Sequence, residues 1–259
     1  MNRDDHLGRL IPAIATALLS SSFQISISPA LTVEDGLAAI RQVVEGRLAD
    51  AVVFNATLVD DPRVAYLVER GFPFATHGRN SWSDRHPYYD FDNGSFARAA
   101  GQLLHSRGRR CLGLFGPSHN RTYGRDTFLE AGNVASELDM TFGELDRFIN
   151  DPLVEMQASA QRFLSLHPDF DGFVCSSDAA ALAVASVLEQ SGRIIGRDVD
   201  IVAKGTRAFL SMVNPAIIAI EEDVDRAAEF LAAAVLQAIR DPDLPPMQAV
   251  EQPDFSKYS

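Results

Sequence analysis

Short apolar runs alternate with amphipathic helical stretches along almost the whole chain, and this alternation restricts the fold more than any single motif does. Leu7, Leu10, Ile11, Ile14, Leu18 and Leu19 share one face of a helix predicted over 7–21. "FQISISPA" (23–30) alternates apolar and polar residues and predicts a strand. "TVEDGLAAIRQVVEGRL" (32–48) predicts a helix with Thr32 as its N-cap. "DAVVFNA" (50–56) reads as a buried strand, and "DPRVAYLVERG" (61–71) as a helix with proline at its start and glycine at its end. "FPFATHG" (72–78) reads as a strand, "SFARAAGQLLHSRG" (95–108) as a helix and "CLGLFGP" (111–117) as a strand closed by a Gly-Pro turn. A helix over about 124–138, the strand "LDRFIN" (145–150) and the helix "LVEMQASAQRFLSLHP" (153–168) follow. The strand "DGFVCSS" (171–177) leads into a helix over 178–192, and "DVDIVAK" (198–204) into a short helix over 207–213. "AIIAIEED" (216–223) is a strand before the long helix "VDRAAEFLAAAVLQAIRD" (224–241), and the tail holds one more strand. This order implies parallel sheets covered by helices on both faces. The strands outnumber what one small sheet needs. The predicted fold class is therefore α/β, with two doubly wound parallel-sheet lobes.

The bulk numbers narrow the function. The chain has 259 residues, 46% of them apolar, which suffices for a large core. Lys and Arg number 23 against 35 Asp and Glu, a net charge of −12, which is unlike a duplex-binding surface. "SRGRR" (106–110) is the one dense basic patch and reads as a solvated turn before a strand. Cys111 and Cys175 sit in separate apolar runs and read as reduced, buried thiols. The six histidines are scattered, so neither a metal site nor a cofactor is expected. "MNRDDHLGRLIPAIATALL" mixes acidic and basic residues and does not read as a signal peptide, and no apolar run is long enough to span a bilayer. The expected location is cytoplasmic.

"DGFVCSSDAAALAVASVLEQSG" (171–192) puts Ser176, Ser177 and Asp178 at a strand-to-helix corner. In open α/β sheets ligands bind beyond the carboxyl ends of strands. Hydroxyls and a carboxylate there can hydrogen-bond a polyol. They can equally satisfy the unpaired N–H groups of the helix start. One division of labour has Asp178 capping the helix and Ser177 facing the cleft.

Several segments, in order, resemble the effector-binding region of LacI-family transcriptional regulators, with their type I periplasmic-binding-protein-like fold. They are "GRLADAVVFNATLVDDPRVAYLVERGFPFATHGR", "YYDFDNGSFARAAGQLLHSRGRRCLGLFGP", "DGFVCSSDAAALAVASVLEQSGRIIGRDVDIVAKG" and "NPAI" before a strand and a long helix. The likeness runs over roughly residues 5–250. It implies an N-terminal lobe of 1–110 plus 223–241 and a C-terminal lobe of 111–222 plus 242–259. Crossings are expected near 109–111, 221–224 and 240–245. It also implies a sugar or sugar-derived effector between the lobes, a homodimer, and DNA contact only through a helix-turn-helix. That helix-turn-helix is absent from this chain, as is the family's first strand, so a fragment or truncated reading frame is expected.

The resemblance marks Asn93 as a ligand position, although an Asn-Gly turn accounts for it equally. The family's usual Asn-Asp pair reads Ser177-Asp178 here. Where the family carries acids after the following strand, this chain has Lys204, which suits an anionic group such as a sugar acid or pairs with Glu222. The family's cleft arginine aligns with Gly124, and Arg125 or Arg121 can substitute from nearby. Arg79 ends the "HGR" strand and either reaches the cleft or caps its loop. The expected ligand set is thus Arg79, Asn93, Arg125, Ser177, Asp178, Lys204 and Glu222. Two other readings are weaker. An α/β enzyme would need a nucleophile elbow, dinucleotide fingerprint or phosphate loop, and none is present. A transport-system sugar-binding protein would need export, which nothing here directs.

Overall fold

A computed structural model describes residues 5–258. In chain order the elements are α1 (Asp5–Ala17), α2 (Val33–Gly46), β1 (Val52–Asn55), α3 (Pro62–Arg70), β2 (Phe74–His77), β3 (Tyr88–Phe91), α4 (Asn93–Ser106), β4 (Cys111–Phe115), α5 (Thr122–Glu137) and β5 (Thr141–Glu144). They continue with α6 (Leu153–Leu166), β6 (Gly172–Cys175), α7 (Asp178–Gln190), β7 (Asp200–Lys204), α8 (Arg207–Val213), β8 (Ile218–Ile220), α9 (Val224–Arg240) and β9 (Gln248–Glu251). The α/β class expected from the alternation is the observed one, with two parallel sheets.

The chain divides into two compact units, one of residues 5–91 with 223–251 and one of 92–222 with the tail from 252. Two crossings differ from the sequence reading. Residues 92–110, expected with the first lobe, pack in the second unit because α4 lies along α5 and over β6 and β7. Residues 242–251, expected with the second lobe, belong to the first unit because β9 pairs with β3.

In the first unit the strands run parallel in the order β1-β2-β3-β9. Leu10, Ile14 and Leu18 of the α1 region pack with Ala227, Leu231 and Val235 of α9 over one face. Ile40 of α2 and Val64 and Leu67 of α3 cover the other, against Phe74. The local starts follow the sequence. Thr32 Oγ1 accepts the Asp35 N–H at 3.0 Å and Asp35 Oδ2 accepts the Thr32 N–H at 3.1 Å, a reciprocal cap on α2. Asp61 caps α3 ahead of Pro62, and Gly71 closes it at φ 59°.

Three expectations fail here. Residues 22–31 form no strand, and Ile25, Ile27 and Leu31 are exposed. A strand exists only through a neighbour's backbone, and none of the backbone hydrogen bonds among the described residues joins this segment to the sheet. β1 is accordingly an edge strand, half-buried rather than buried. The run 145–150 is irregular too, because the strand lies earlier, at β5, and the chain has already turned toward α6.

In the second unit five parallel strands run β5-β4-β6-β7-β8. Met156, Phe163, Val184 and Leu188 of α6 and α7 pack with Phe173, Cys175 and Ile201. Gly113 of β4 faces this side, where an added Cβ would come within 2.6 Å of the Phe173 ring. Its neighbour Leu112 points the opposite way, into the layer of α4 and α5. There Gly101 allows the close approach, since an added Cβ would meet Val134 at 2.5 Å. Cys175 is buried, and burial pushes its thiol well above the ordinary range; Cys111 is part-exposed rather than buried as expected. The basic stretch 106–110 is not simply solvated. Arg109 Nε donates to Asp200 Oδ2 at 2.6 Å and Arg107 reaches Oδ1 at 3.1 Å, while Asp200 itself is fully buried. These cations are spent on a structural carboxylate.

Two outcomes follow for stability. Leu231→Ala, at a fully buried position, should cost about 2–5 kcal/mol in denaturant titration. The double change Ile25→Ser, Ile27→Ser should leave the unfolding midpoint within experimental error, because both side chains already face water.

Candidate functional site

Because all strands of the second unit run in one direction, their carboxyl ends and the following loops lie along one edge of the sheet. β4 delivers Gly116 and Pro117, β6 delivers Ser176, Ser177 and Asp178, β7 ends on Lys204, and β8 leads to Glu221 and Glu222. Ladder-like bonds extend the sheet past these ends: Ser176 N–H donates to Phe115 O and Gly205 N–H to Ile220 O, both at 3.0 Å.

Lys204 is the centre of the cluster. Its Nζ lies 2.9 Å from Glu222 Oε2 and donates to Asn93 Oδ1 at 3.3 Å. The side chains are largely buried, 19% exposed for Lys204 and 3% for Glu222. The sequence left open whether Lys204 meets an anionic group or pairs with Glu222; the structure shows the pair. Asn93 is itself buried, at the first turn of α4, where Asp92 caps the helix by accepting the Ser95 N–H at 2.9 Å. Asn93 is therefore more than a turn residue. It joins the end of β7 to the start of α4.

The β6 corner resolves the other way round from the expected division. Ser177 is the cap, accepting the Ala180 N–H at 3.2 Å, in extended backbone. Asp178 reaches sideways, and its Oδ1 accepts the Thr206 N–H at 2.8 Å. It thereby ties the loop after β7 to the corner after β6. Gly205 makes this possible, since an added Cβ there would stand 1.9 Å from Asp178 Oδ1. The sequence reading did not single out Gly205 or Thr206, and only the spatial neighbourhood of β6 and β7 reveals them.

Arg125 lies on the first turn of α5, half-exposed, with its Nε 3.5 Å from Asp126 Oδ1. It is not joined to the Lys204 cluster by any hydrogen bond among the described residues. Gly124, aligned with the family's arginine, has no room for a side chain, because a Cβ would meet the Ser118 carbonyl oxygen at 2.2 Å. Arg79 belongs to the first unit. Its Nε donates to Asp90 Oδ2 at 2.5 Å, and its carbonyl accepts the Thr57 hydroxyl at 2.8 Å. Within the second unit the structure thus gathers Asn93, Ser177, Asp178, Lys204 and Glu222 and leaves Arg125 in an ion pair of its own.

This edge of the sheet holds hydrogen-bond donors and acceptors side by side. The family described as "Periplasmic binding protein-like domain" matches residues 102–256, more than half of the chain. The chain belongs to this family. The HTH-type transcriptional regulator AglR of Rhizobium meliloti is 27% identical over 90% of this chain, which spans 65% of that relative's length. A LacI family transcriptional regulator from Bifidobacterium animalis superposes with a TM-score of 0.84 at 18% identity, covering 94% of this chain and 90% of that one. The regulator CelR in complex with cellobiose gives 0.82 at 20% identity, covering 96% and 77%. The resemblance to the effector-binding region of LacI-family regulators agrees with all of these, and these relatives are regulators rather than enzymes.

The corner is testable by itself. Ser177→Ala should lower stability by about 1 kcal/mol through loss of the cap in denaturant titration. Asp178→Ala should cost about 1–3 kcal/mol by leaving the Thr206 N–H without its charged acceptor.

Proposed function

We propose that the chain is the effector-binding region of a LacI-type transcriptional regulator. The strand ends of the second unit would take a sugar or sugar-derived small molecule, with Asn93, Ser177, Asp178, Lys204 and Glu222 as its contacts. The carrying observation is the Lys204–Glu222–Asn93 cluster at the carboxyl edge of a parallel sheet. An ammonium donates, a carboxylate and an amide oxygen accept, and a sugar hydroxyl does both. The fold shared with CelR, solved with cellobiose, and the kinship with a named regulator support the same reading. Arg125, on the first turn of α5, and Arg79 are further proposed contacts.

Bound effector would favour one arrangement of the protein over another, which is how a ligand shifts a two-state element. DNA contact would fall to a helix-turn-helix outside these 259 residues, in keeping with the net charge of −12. A cytoplasmic location follows from that role. A homodimer is also part of the proposal. α8 leaves Phe209, Met212 and Val213 exposed, with Met212 84% accessible.

Two measurements check this. A thermal-shift screen against sugars should find at least one that raises the melting temperature; a ligand at a hundredfold excess over its Kd stabilises by about 2.7 kcal/mol. Silence across the screen, with a cooperative melt, would remove sugars as the ligand class. Sedimentation velocity at micromolar concentration should show a dimer, and Met212→Glu should shift it toward monomer.

A further inference from the structure

The charge carried by Lys204 is already answered within the protein. We propose that Glu222 sets the ligand class at this site: by neutralising Lys204 it restricts the site to uncharged polyhydroxy ligands and excludes the corresponding sugar acids. The inference rests on the reading of the strand ends as a sugar site.

Lys204 Nζ and Glu222 Oε2 are 2.9 Å apart, and Glu222 is 3% exposed, so solvent screens the pair poorly. Asn93 Oδ1, 3.3 Å from the same ammonium, is a neutral acceptor and leaves the balance unchanged. Asp178 and Glu221, which follow the neighbouring strands β6 and β8, are both acidic. The Lys204–Glu222 pair by itself carries no net charge. A carboxylate-bearing ligand placed against Lys204 would also stand against Glu222, and like charges at such range oppose binding. A hydroxyl meets no such conflict, because it accepts from the ammonium or donates to the carboxylate without adding charge. Lys204 by itself would suit an acid; Lys204 with Glu222 suits a neutral sugar. Lys204 is therefore a hydrogen-bond donor held in place, and Glu222 the residue that decides specificity.

The experiment is isothermal titration of the full chain with matched neutral and acidic probes: glucose with glucuronate, galactose with galacturonate, and cellobiose with cellobionate. The proposal expects the parent protein to bind a neutral member about tenfold or more tighter than its acid, a difference of about 1.4 kcal/mol. In Glu222→Gln the released cation should largely remove the preference, with the acid gaining about tenfold relative to its neutral partner. The double variant Lys204→Met, Glu222→Gln, which removes both charges at similar volume, should show no gain for the acid, and its melt reports folding. A parent protein that prefers the acid, or a folded Glu222→Gln variant with an unchanged ratio, would overturn the charge inference and leave the sugar-site reading standing. A parent protein that binds no probe in either series would overturn that reading and this inference with it.

Discussion

A parallel sheet makes all its strands finish on the same side, and the candidate site of this protein follows from that constraint. In the second unit, β4, β6, β7 and β8 end at Phe115, Cys175, Lys204 and Ile220. Residues far apart in sequence thereby become neighbours: Ser177 and Asp178 beside Thr206, Lys204 beside Glu222, Asn93 beside Lys204. The strands that hold them there are almost wholly apolar and buried, with Phe173, Val174, Ile201, Val202 and Ala203 at 2% exposure or less. The core therefore supplies rigidity, and the polar groups begin where it stops.

Charge pairing is the second theme. Several basic residues of the chain are committed to carboxylates. Arg107 and Arg109 hold the buried Asp200. Arg98 binds Glu130 and Glu137, Arg79 binds Asp90, and Lys204 binds Glu222. Where one partner is buried, removing the other leaves an uncompensated charge in poorly solvating surroundings, at a cost of about 3–5 kcal/mol. Such pairs thus tie distant segments together, α4 and its following turn to β7 in the case of Asp200.

Much of the architecture was legible in the chain. Thr32 with Asp35, Asp61 with Pro62, and Gly71 mark helix ends through bonds that span three or four residues, and local sequence carries that information. The misread segments are those whose state depends on a remote partner. "FQISISPA" has the alternation of a strand, but strand pairing needs a second backbone, and no backbone hydrogen bond among the described residues joins this segment to the sheet. β9 joins β3, and α4 joins α5, through pairings between separated stretches of chain, so the division into units was misplaced at those two crossings.

The site divides in the same way. Sequence by itself determined the kinds of group available, an amide at 93, a hydroxyl and a carboxylate at 177 and 178, a cation at 204 and an acid at 222, and their positions at strand and helix ends. It also determined the alternation that makes a parallel sheet the economical solution. Only the tertiary structure decided which group serves which purpose. Ser177 caps its helix while Asp178 reaches to Thr206, and the cation at 204 is matched by Glu222. The reason is one of range. Side-chain chemistry and helix capping are properties of a few consecutive residues, whereas ion pairing and loop bracing depend on strand order, which brings β6, β7 and β8 side by side.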